Sequence, residues 1–143
     1  NLKNLMDHFA YRWITHRPYG KMFTKVGLTI SSSAGAPANN TVKSMAKQLK
    51  WMGIPKVYKF PFISNALNIS TISSKKEAEL KQKSEKIALK VKKRANKPKA
   101  SLKGKIMFYI FRKMQASPSA SWNPKDRDWW IEQGWIKNVR PWK

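Results

Sequence analysis

Residues 25–63 read KVGLTISSSAGAPANNTVKSMAKQLKWMGIPKVYKFPFI, and this stretch decides the fold. It begins with a β-rich run over residues 25–30, which predicts a strand followed by a loop rich in Ser, Gly, Pro and Asn. Apolar residues at helical spacing then predict a helix from about Asn40 that closes at Gly53. A second β-rich run covers residues 56–63. Strand, helix and strand in this order predict one βαβ crossover with parallel strands.

Two parallel strands make a poor sheet by themselves, because parallel strands are normally covered on both faces and have further strand neighbours. We therefore expect the remaining strands to come from a second copy of the chain or from sequence that precedes residue 1. The fold class that follows is α/β, with a parallel sheet, flanking helices and an incomplete N-terminal side.

The rest of the chain is predicted to be helical. Apolar periodicity and capping signals predict helices over residues 1–15, from residue 74 to before Pro98, over residues 102–114, and from Asn123-Pro124 to Gly134. The sequence Ser74-Lys75-Lys76-Glu77 has the form of a capping box, which places the start of the second of these helices. The last helices form a C-terminal extension to the sheet.

The composition excludes several kinds of chemistry. The chain has 143 residues, 30 Lys plus Arg against 7 Asp plus Glu, a net charge of +23 and no cysteine. Without cysteine there is no disulfide, thiolate nucleophile or cysteine-ligated metal, and two histidines are too few for a His-rich site. We assign no catalytic residue and expect no metal. The chain has no signal-like or membrane-spanning stretch, so we expect a cytoplasmic protein with no membrane partner.

The positive charge first suggests nucleic acid or an anionic membrane as a partner. Lys outnumbers Arg 24 to 6, however, and Arg is the usual reader of base edges. The dense block from Lys75 to Lys105 has apolar residues at helical intervals, which favours a solvated helix face. A nucleic-acid surface is the alternative interpretation.

Tryptophan is concentrated near the C-terminus, at positions 122, 129, 130, 135 and 142, among several cationic side chains. Such rings can stack on bases, or they can dock a C-terminal arm onto the body of the protein or onto a second subunit. We favour docking, because Trp129 and Trp130 lie in a capped helix and not on a flat platform.

Three segments together carry a family resemblance: NLKNLMDHF at residues 1–9, the strand and SSSAGA loop at residues 25–36, and the C-terminal FYIFR, DWW and GW sequences between residues 108 and 135. They resemble the flavodoxin-like NAD(P)H-dependent oxidoreductases, the group that includes NADPH-dependent FMN reductases. The family's Gly-Ser-Pro-Arg type phosphate loop and its Pro-x-Tyr loop have no counterpart in the 143 residues. The resemblance therefore implies that the FMN phosphate cradle lies outside this chain.

The resemblance also implies a division of the chain. Residues 1–63 correspond to the C-terminal half of a flavodoxin-like domain, residues 64–115 to amphipathic helices that complete or cover the sheet, and residues 116–143 to a Trp-rich C-terminal arm. The resemblance implies an FMN-dependent oxidoreductase that moves a hydride from NAD(P)H through the flavin to a small-molecule acceptor. We expect it to be a homodimer. A segment that keeps this scaffold without activity is a further alternative.

Ligands of open parallel sheets bind beyond the carboxyl ends of the strands, which points to the loop after the first strand. With the resemblance, this loop becomes the predicted FMN site, formed by Ser31, Ser32, Ser33, Ala34, Gly35 and Ala36. Hydroxyls and exposed amides there can bond the pyrimidine edge of the flavin, and Gly35 allows close approach of the backbone. Arg12 and Arg17 could attract a phosphate of FMN or NADPH, although we favour simple solvation of both side chains.

Overall fold

A computed structural model describes residues 2–119 and 123–143. Within these ranges the protein is a mixed α/β structure with five α-helices and a two-stranded parallel sheet. The helices are α1 (Leu2–His8), α2 (Asn39–Trp51), α3 (Ser74–Ala95), α4 (Leu102–Ala116) and α5 (Pro124–Glu132), and the strands are β1 (Val26–Ser33) and β2 (Lys56–Ile63). Short 3-10 turns cover Ala10–Arg12, Gly20–Thr24 and Ile69–Thr71.

The predicted crossover is confirmed, because β1 and β2 pair in parallel with α2 between them in sequence. Helix α2 covers one face of the sheet, where Ala46 packs with Ile54 and Val57. Thr29 of β1 is also buried on this side, and its hydroxyl donates to the Val42 carbonyl of α2 at 3.1 Å. The sheet and α2 thus form one small core.

The other face of the sheet is poorly covered. Helix α3 lies against both strands, yet none of its residues, Ser74–Ala95, is buried. Ile30 of β1 is 58% exposed. Within the described residues each strand has a single strand neighbour, so each keeps one edge without a strand partner. An open edge exposes unpaired N–H and C=O groups that could accept a further strand, and whether one is added stays a prediction.

The prediction of one helix over residues 1–15 is wrong in its length. The α-helix ends at His8, a 3-10 turn follows, and Asn1 lies outside the described residues. The chain leaves the helix because Ile14 is drawn into the core, where its N–H donates to the Trp51 carbonyl at 2.8 Å. The predicted apolar stripe of the first helix consequently stays near the surface, and no residue of α1 is buried.

The local signals for the other helices are largely confirmed. Asn123 caps α5 through a 3.0 Å bond from the Lys125 N–H, with Pro124 at the first helical position. Gly53 and Gly134 follow their helices with φ of 101° and 67°, in the left-handed region that glycine adopts readily. The cap of α3 is one residue earlier than predicted, because Ser73, not Ser74, accepts the bond from the third N–H of the helix.

A second core, rich in aromatic side chains, joins the C-terminal helices to residues 14–23. Its buried members are Ile14, Phe23, Phe108, Trp130 and Trp135. Phe108 and Trp130 stack at 5.0 Å between ring centroids, and Trp142 closes over Phe108 at the same distance. The prediction that the tryptophans dock the arm onto the body is confirmed for the described ones; Trp122 lies outside the described residues.

Candidate functional site

The carboxyl ends of the two strands meet at one edge of the sheet. The register pairs Ser33 of β1 with Ile63 of β2, the last residues of both strands. The next residue, Ser64, bonds back to the Ser33 carbonyl through its N–H at 2.9 Å and through its hydroxyl at 3.2 Å. Both strands therefore stop at the same level, and the loop that leaves β1 lies at the edge where parallel sheets bind ligands.

The predicted site residues fall into two groups. Ser31, Ser32 and Ser33 belong to β1, which continues three residues past the predicted end of the strand. The reason is that β2 runs on through Pro61 to Ile63 and supplies partners for these serines. Ser31 and Ser33 are half-buried while Ser32 is exposed, as the alternation of a strand requires. The serines are thus carried by a rigid strand and not by a loop.

Ala34, Gly35 and Ala36 form the exposed turn that follows the strand. The Ser33 hydroxyl donates to the Ala36 carbonyl and closes this turn. In the part of the chain that the structure describes, no backbone carbonyl accepts a bond from the N–H groups of these three residues. A Cβ built on Gly35 would meet no atom within 4 Å, so the backbone is open to an approaching group. The turn therefore presents backbone donors at the edge where both strands end.

The N-terminus of α2 follows the same turn. Ala38 precedes the helix, no side chain caps its first N–H groups, and its first turn has no acidic residue. The positive end of the helix dipole therefore adds to the donors of the turn. Together the strand hydroxyls, the open amides and the helix end make an edge that suits an electron-rich, hydrogen-bond-accepting group.

This edge fits one part of FMN and not another. The pyrimidine ring of a flavin presents carbonyl oxygens and a ring nitrogen, which the amides of residues 34–36 and the Ser32 hydroxyl could meet as donors. The phosphate is a second group to hold: the turn carries no Lys or Arg between Lys25 and Lys43, and the amides that could surround a phosphate are the ones assigned to the ring. The residues present therefore suit the flavin ring, while a phosphate cradle would have to come from elsewhere.

Arg12 and Arg17 are held within the protein, so the expectation that both are simply solvated is wrong. The Arg12 guanidinium lies 5.2 Å from the ring centroid of Trp129 and donates to the Arg17 carbonyl at 3.3 Å. The Arg17 Nε lies 3.1 Å from a carboxylate oxygen of Asp126. Arg17 is thus paired with a carboxylate of the C-terminal arm, and Arg12 packs on a tryptophan ring of the same arm.

The structure brings together one charged cluster that sequence reasoning missed. Asp126 is buried, and its carboxylate contacts His16 Nδ1 at 2.8 Å as well as Arg17. The Trp130 indole N–H donates to the His16 carbonyl at 2.6 Å, and the Trp129 indole to the Pro18 carbonyl at 3.1 Å. Because every partner belongs to the contact between residues 16–18 and α5, the cluster is best explained as an anchor of the arm.

Among the described residues, the remaining His, Asp and Glu side chains do not form a cluster that could do chemistry. Among the described residues, no set of three or more His, Asp or Glu side chains could hold a metal ion. His8 is exposed at the end of α1, and Asp7 pairs with Lys3 at 2.7 Å. Over residues 2–119 and 123–143, no helix is both long enough and apolar enough to cross a membrane.

The lysines of α3 face water, as predicted. Those at positions 81, 83, 86, 90, 92 and 93 are all exposed, while Leu80, Ile87 and Val91 are half-buried. Glu79 pairs with Lys76 and Lys83, and hydrogen bonds from these two ammonium groups lower the pKa of Glu79 from its ordinary 4.5 to about 2. The basic face is therefore partly neutralised at its N-terminal end.

Comparison of the chain with known proteins gives no support for any family: no family model matches it, and neither a curated protein nor a solved structure is significantly similar.

Proposed function

We propose that this chain is part of a flavodoxin-like, FMN-dependent NAD(P)H oxidoreductase that passes a hydride from the nicotinamide through the flavin to a small-molecule acceptor. One observation carries the proposal: two parallel strands end together at one sheet edge, beside an exposed turn with open amides. This is the position at which open α/β sheets bind their ligands. The resemblance of three sequence segments to the family supplies the identity of the ligand.

In this proposal the chain's own residues bind and orient the ring. The amides of Ala34, Gly35 and Ala36 donate to the pyrimidine edge, and Ser32 adds a hydroxyl from the end of β1. Donors at this edge favour negative charge on the ring, which lowers the free energy of its reduced form. FMN, when bound, supplies the hydride chemistry itself, so no acid or base from this chain is required at the edge.

The open edges of the sheet offer a way to complete the proposed FMN site. A β-edge with free N–H and C=O groups accepts another strand. We propose that further strands, from sequence outside the 143 residues or from a second copy in a homodimer, extend the sheet and bring the phosphate-binding residues. We assign this role to neither Arg12 nor Arg17, because Arg12 packs on Trp129 and Arg17 pairs with Asp126, both in the C-terminal arm.

The alternative of a nucleic-acid-binding module was based on the Trp-rich tail and the Lys-rich helix. The structure does not favour the first of these. Stacking of bases needs accessible rings, yet Trp130 and Trp135 are buried and Trp129 packs beside them. The exposed lysines of α3 still favour this alternative, as a surface that attracts phosphates without reading bases. Binding of nucleic acid is therefore one of the outcomes that the experiment below distinguishes.

The test uses the natural gene product that contains residues 1–143, in wild-type and Gly35→Val forms. We expect the wild type to bind FMN, seen as visible flavin absorbance and as quenching of flavin fluorescence on titration. The Gly35→Val side chain fills the space above the turn, so we expect the FMN dissociation constant to rise at least about tenfold. Because the position is open, the fold should be unchanged by circular dichroism.

Ala88→Val is the matched control, since it introduces the same side chain at an exposed position of α3. It should leave FMN affinity at the wild-type value. A wild-type gene product that binds no FMN would overturn the proposal, and steep, salt-dependent heparin binding in the same protein would favour the alternative. Equal FMN affinity of wild type and Gly35→Val would remove the turn from the site.

A further inference from the structure

Helix α4 is apolar on two opposite sides. Its inner side places Phe108 in the aromatic core, where this side chain is fully buried. The outer side carries four large apolar residues, Leu102, Ile106, Tyr109 and Ile110, which are 75%, 51%, 46% and 55% exposed. We call these four residues the outer face of α4. A helix with an apolar outer side is unusual at a protein surface, where one apolar stripe normally faces the core.

The outer face is one continuous stripe. Leu102, Ile106 and Ile110 are four residues apart, and Tyr109 lies one turn from Ile106 on the same side of the helix. Tyr109 is held in place by Arg140, whose Nε donates to the Tyr109 hydroxyl at 3.0 Å. The Tyr109 ring also contacts Phe108 and Trp142 edge to face, so the aromatic core and Arg140 together hold this part of the stripe in place.

Cationic side chains surround this stripe. Lys103 and Lys113 are exposed on α4, and Lys105 is half-exposed beside the Trp142 ring. The sequence contains no Asp or Glu between Glu85 and Asp126. The outer face of α4 is thus an apolar stripe inside a field of positive charge.

We propose that the outer face of α4 docks on the surface of an anionic lipid bilayer. An amphipathic helix that lies in the interface buries its apolar side at the boundary of headgroups and acyl chains, while Lys and Arg beside it meet the lipid phosphates. Leu102, Ile106 and Ile110 would enter this boundary, and Lys103 and Lys113 would lie at the phosphates. Tyr109, with an apolar ring and a polar tip, suits the same depth.

Charge and contact area argue against two other occupants of the outer face of α4, a second copy of the chain and a nucleic acid. A second copy would set the same lysines against each other, and four side chains offer far less than the roughly 800 Å² per partner of a stable protein interface. A nucleic acid would attract Lys103 and Lys113 but gives no apolar cover to Leu102 or Ile110. The expectation of no membrane partner rested on the absence of a spanning segment, which a surface contact does not need.

The experiment measures co-sedimentation of the natural gene product with vesicles of phosphatidylcholine alone and of phosphatidylcholine mixed with phosphatidylglycerol. We expect binding to the anionic vesicles, weakening as salt is raised, and little binding to the neutral ones. The double variant Ile106→Ser/Ile110→Ser should bind anionic vesicles roughly tenfold or more weakly. Leu89→Ser/Ile131→Ser, which changes two exposed apolar residues of other helices, should bind like the wild type.

Circular dichroism and FMN titration of each variant separate this proposal from the proposed function. The Ile106→Ser/Ile110→Ser protein should keep its helical signal and its FMN affinity, while Gly35→Val should keep its vesicle affinity. Equal vesicle binding by the wild type and the Ile106→Ser/Ile110→Ser variant would overturn the proposal. So would a dimer, seen by size-exclusion chromatography, that this variant dissociates in the absence of lipid, because the occupant would then be a second copy.

Discussion

The aromatic core and the βαβ unit are packed in different ways. Around Trp130, the C-terminal helices and residues 14–23 bury a connected cluster of rings, and indole N–H groups bond to backbone carbonyls across it. The sheet has α2 on one face, while Ile30 on the other is largely exposed, and within residues 2–119 and 123–143 each strand has one edge without a strand partner. The aromatic core finds its packing partners within the chain. The sheet keeps exposed apolar surface and, in the described residues, strand edges without a strand partner.

We interpret this difference as a division between a region that stabilises the fold and a region that is available for binding. The described tryptophans and the Asp126 cluster look like candidates for binding. In the structure they instead hold the C-terminal arm to the rest of the protein. The sheet edge, with little aromatic or charged character, keeps free donors at residues 34–36. We therefore propose that the sheet edge binds the ligand, while the aromatic core stabilises the fold.

The largest effect is expected from Trp130→Ala. Trp130 is 0% exposed and stacks on Phe108, so its removal should lower the free energy of unfolding by about 3–5 kcal/mol. Urea unfolding followed by circular dichroism measures this loss. Trp51→Ala is the comparison, because Trp51 stacks on Trp13 yet is at the surface, and we expect it to cost about 1–2 kcal/mol. Equal costs would mean that the two regions do not differ in packing.

Asp126→Ala tests whether the charged cluster anchors the arm. His16 and Arg17 would lose their carboxylate, and because both are about one-third exposed we expect a moderate loss of about 1–3 kcal/mol. Asp128→Ala lies in the same helical turn but is exposed, and should cost less than about 1 kcal/mol. If Asp126→Ala proves no more costly than Asp128→Ala, the anchor interpretation fails.

Gly27→Ala probes the sheet side. An added Cβ would lie 3.1 Å from Leu49 and 3.3 Å from Val57, both side-chain contacts that can adjust. We expect a loss of about 1 kcal/mol or less, because tighter packing is offset by lower entropy of the unfolded chain. The same urea experiment measures it. A loss as large as that of Trp130→Ala would show that the contact between β1 and α2 is as rigid as the aromatic core.

The smallest effect is expected at Glu79, on the exposed face of α3. Its pKa is lowered from 4.5 to about 2 in the folded protein, so its ion pairs stabilise the fold above pH 4.5 and lose this effect as the pH falls towards 2. Glu79→Gln should remove that part of the pH dependence of unfolding, while Glu85→Gln on the same helix should keep it. Identical pH profiles for wild type and Glu79→Gln would contradict this account.

Local signals in the sequence predicted much of the fold. The parallel crossover follows from two β-rich runs around one amphipathic helix, and Gly53 and Asn123 mark helix ends through backbone geometry and capping. Docking of Trp129 and Trp130 was also predictable from their place in a capped helix. These features depend on neighbours that are close in sequence.

The errors concern partners that are far apart in sequence. Ser33 extends β1 because Ile63 offers a strand partner, which the low strand propensity of serine does not reveal. Asp126 meets His16 across 110 residues, and no local pattern signals that contact. The end of α1 at His8 likewise depends on Ile14 reaching Trp51 in the core. The position of residues 34–36 just beyond the carboxyl end of β1 was predictable from the crossover alone.

Hydrogen–deuterium exchange of the natural gene product, with and without FMN, tests the central claim most directly. The amides of Ala34, Gly35 and Ala36 are open in the free protein, so we expect them to exchange quickly without FMN and to be protected when FMN is bound. The amides of α4 should exchange at the same rate in both states. Bound FMN that leaves residues 34–36 unprotected would contradict the account.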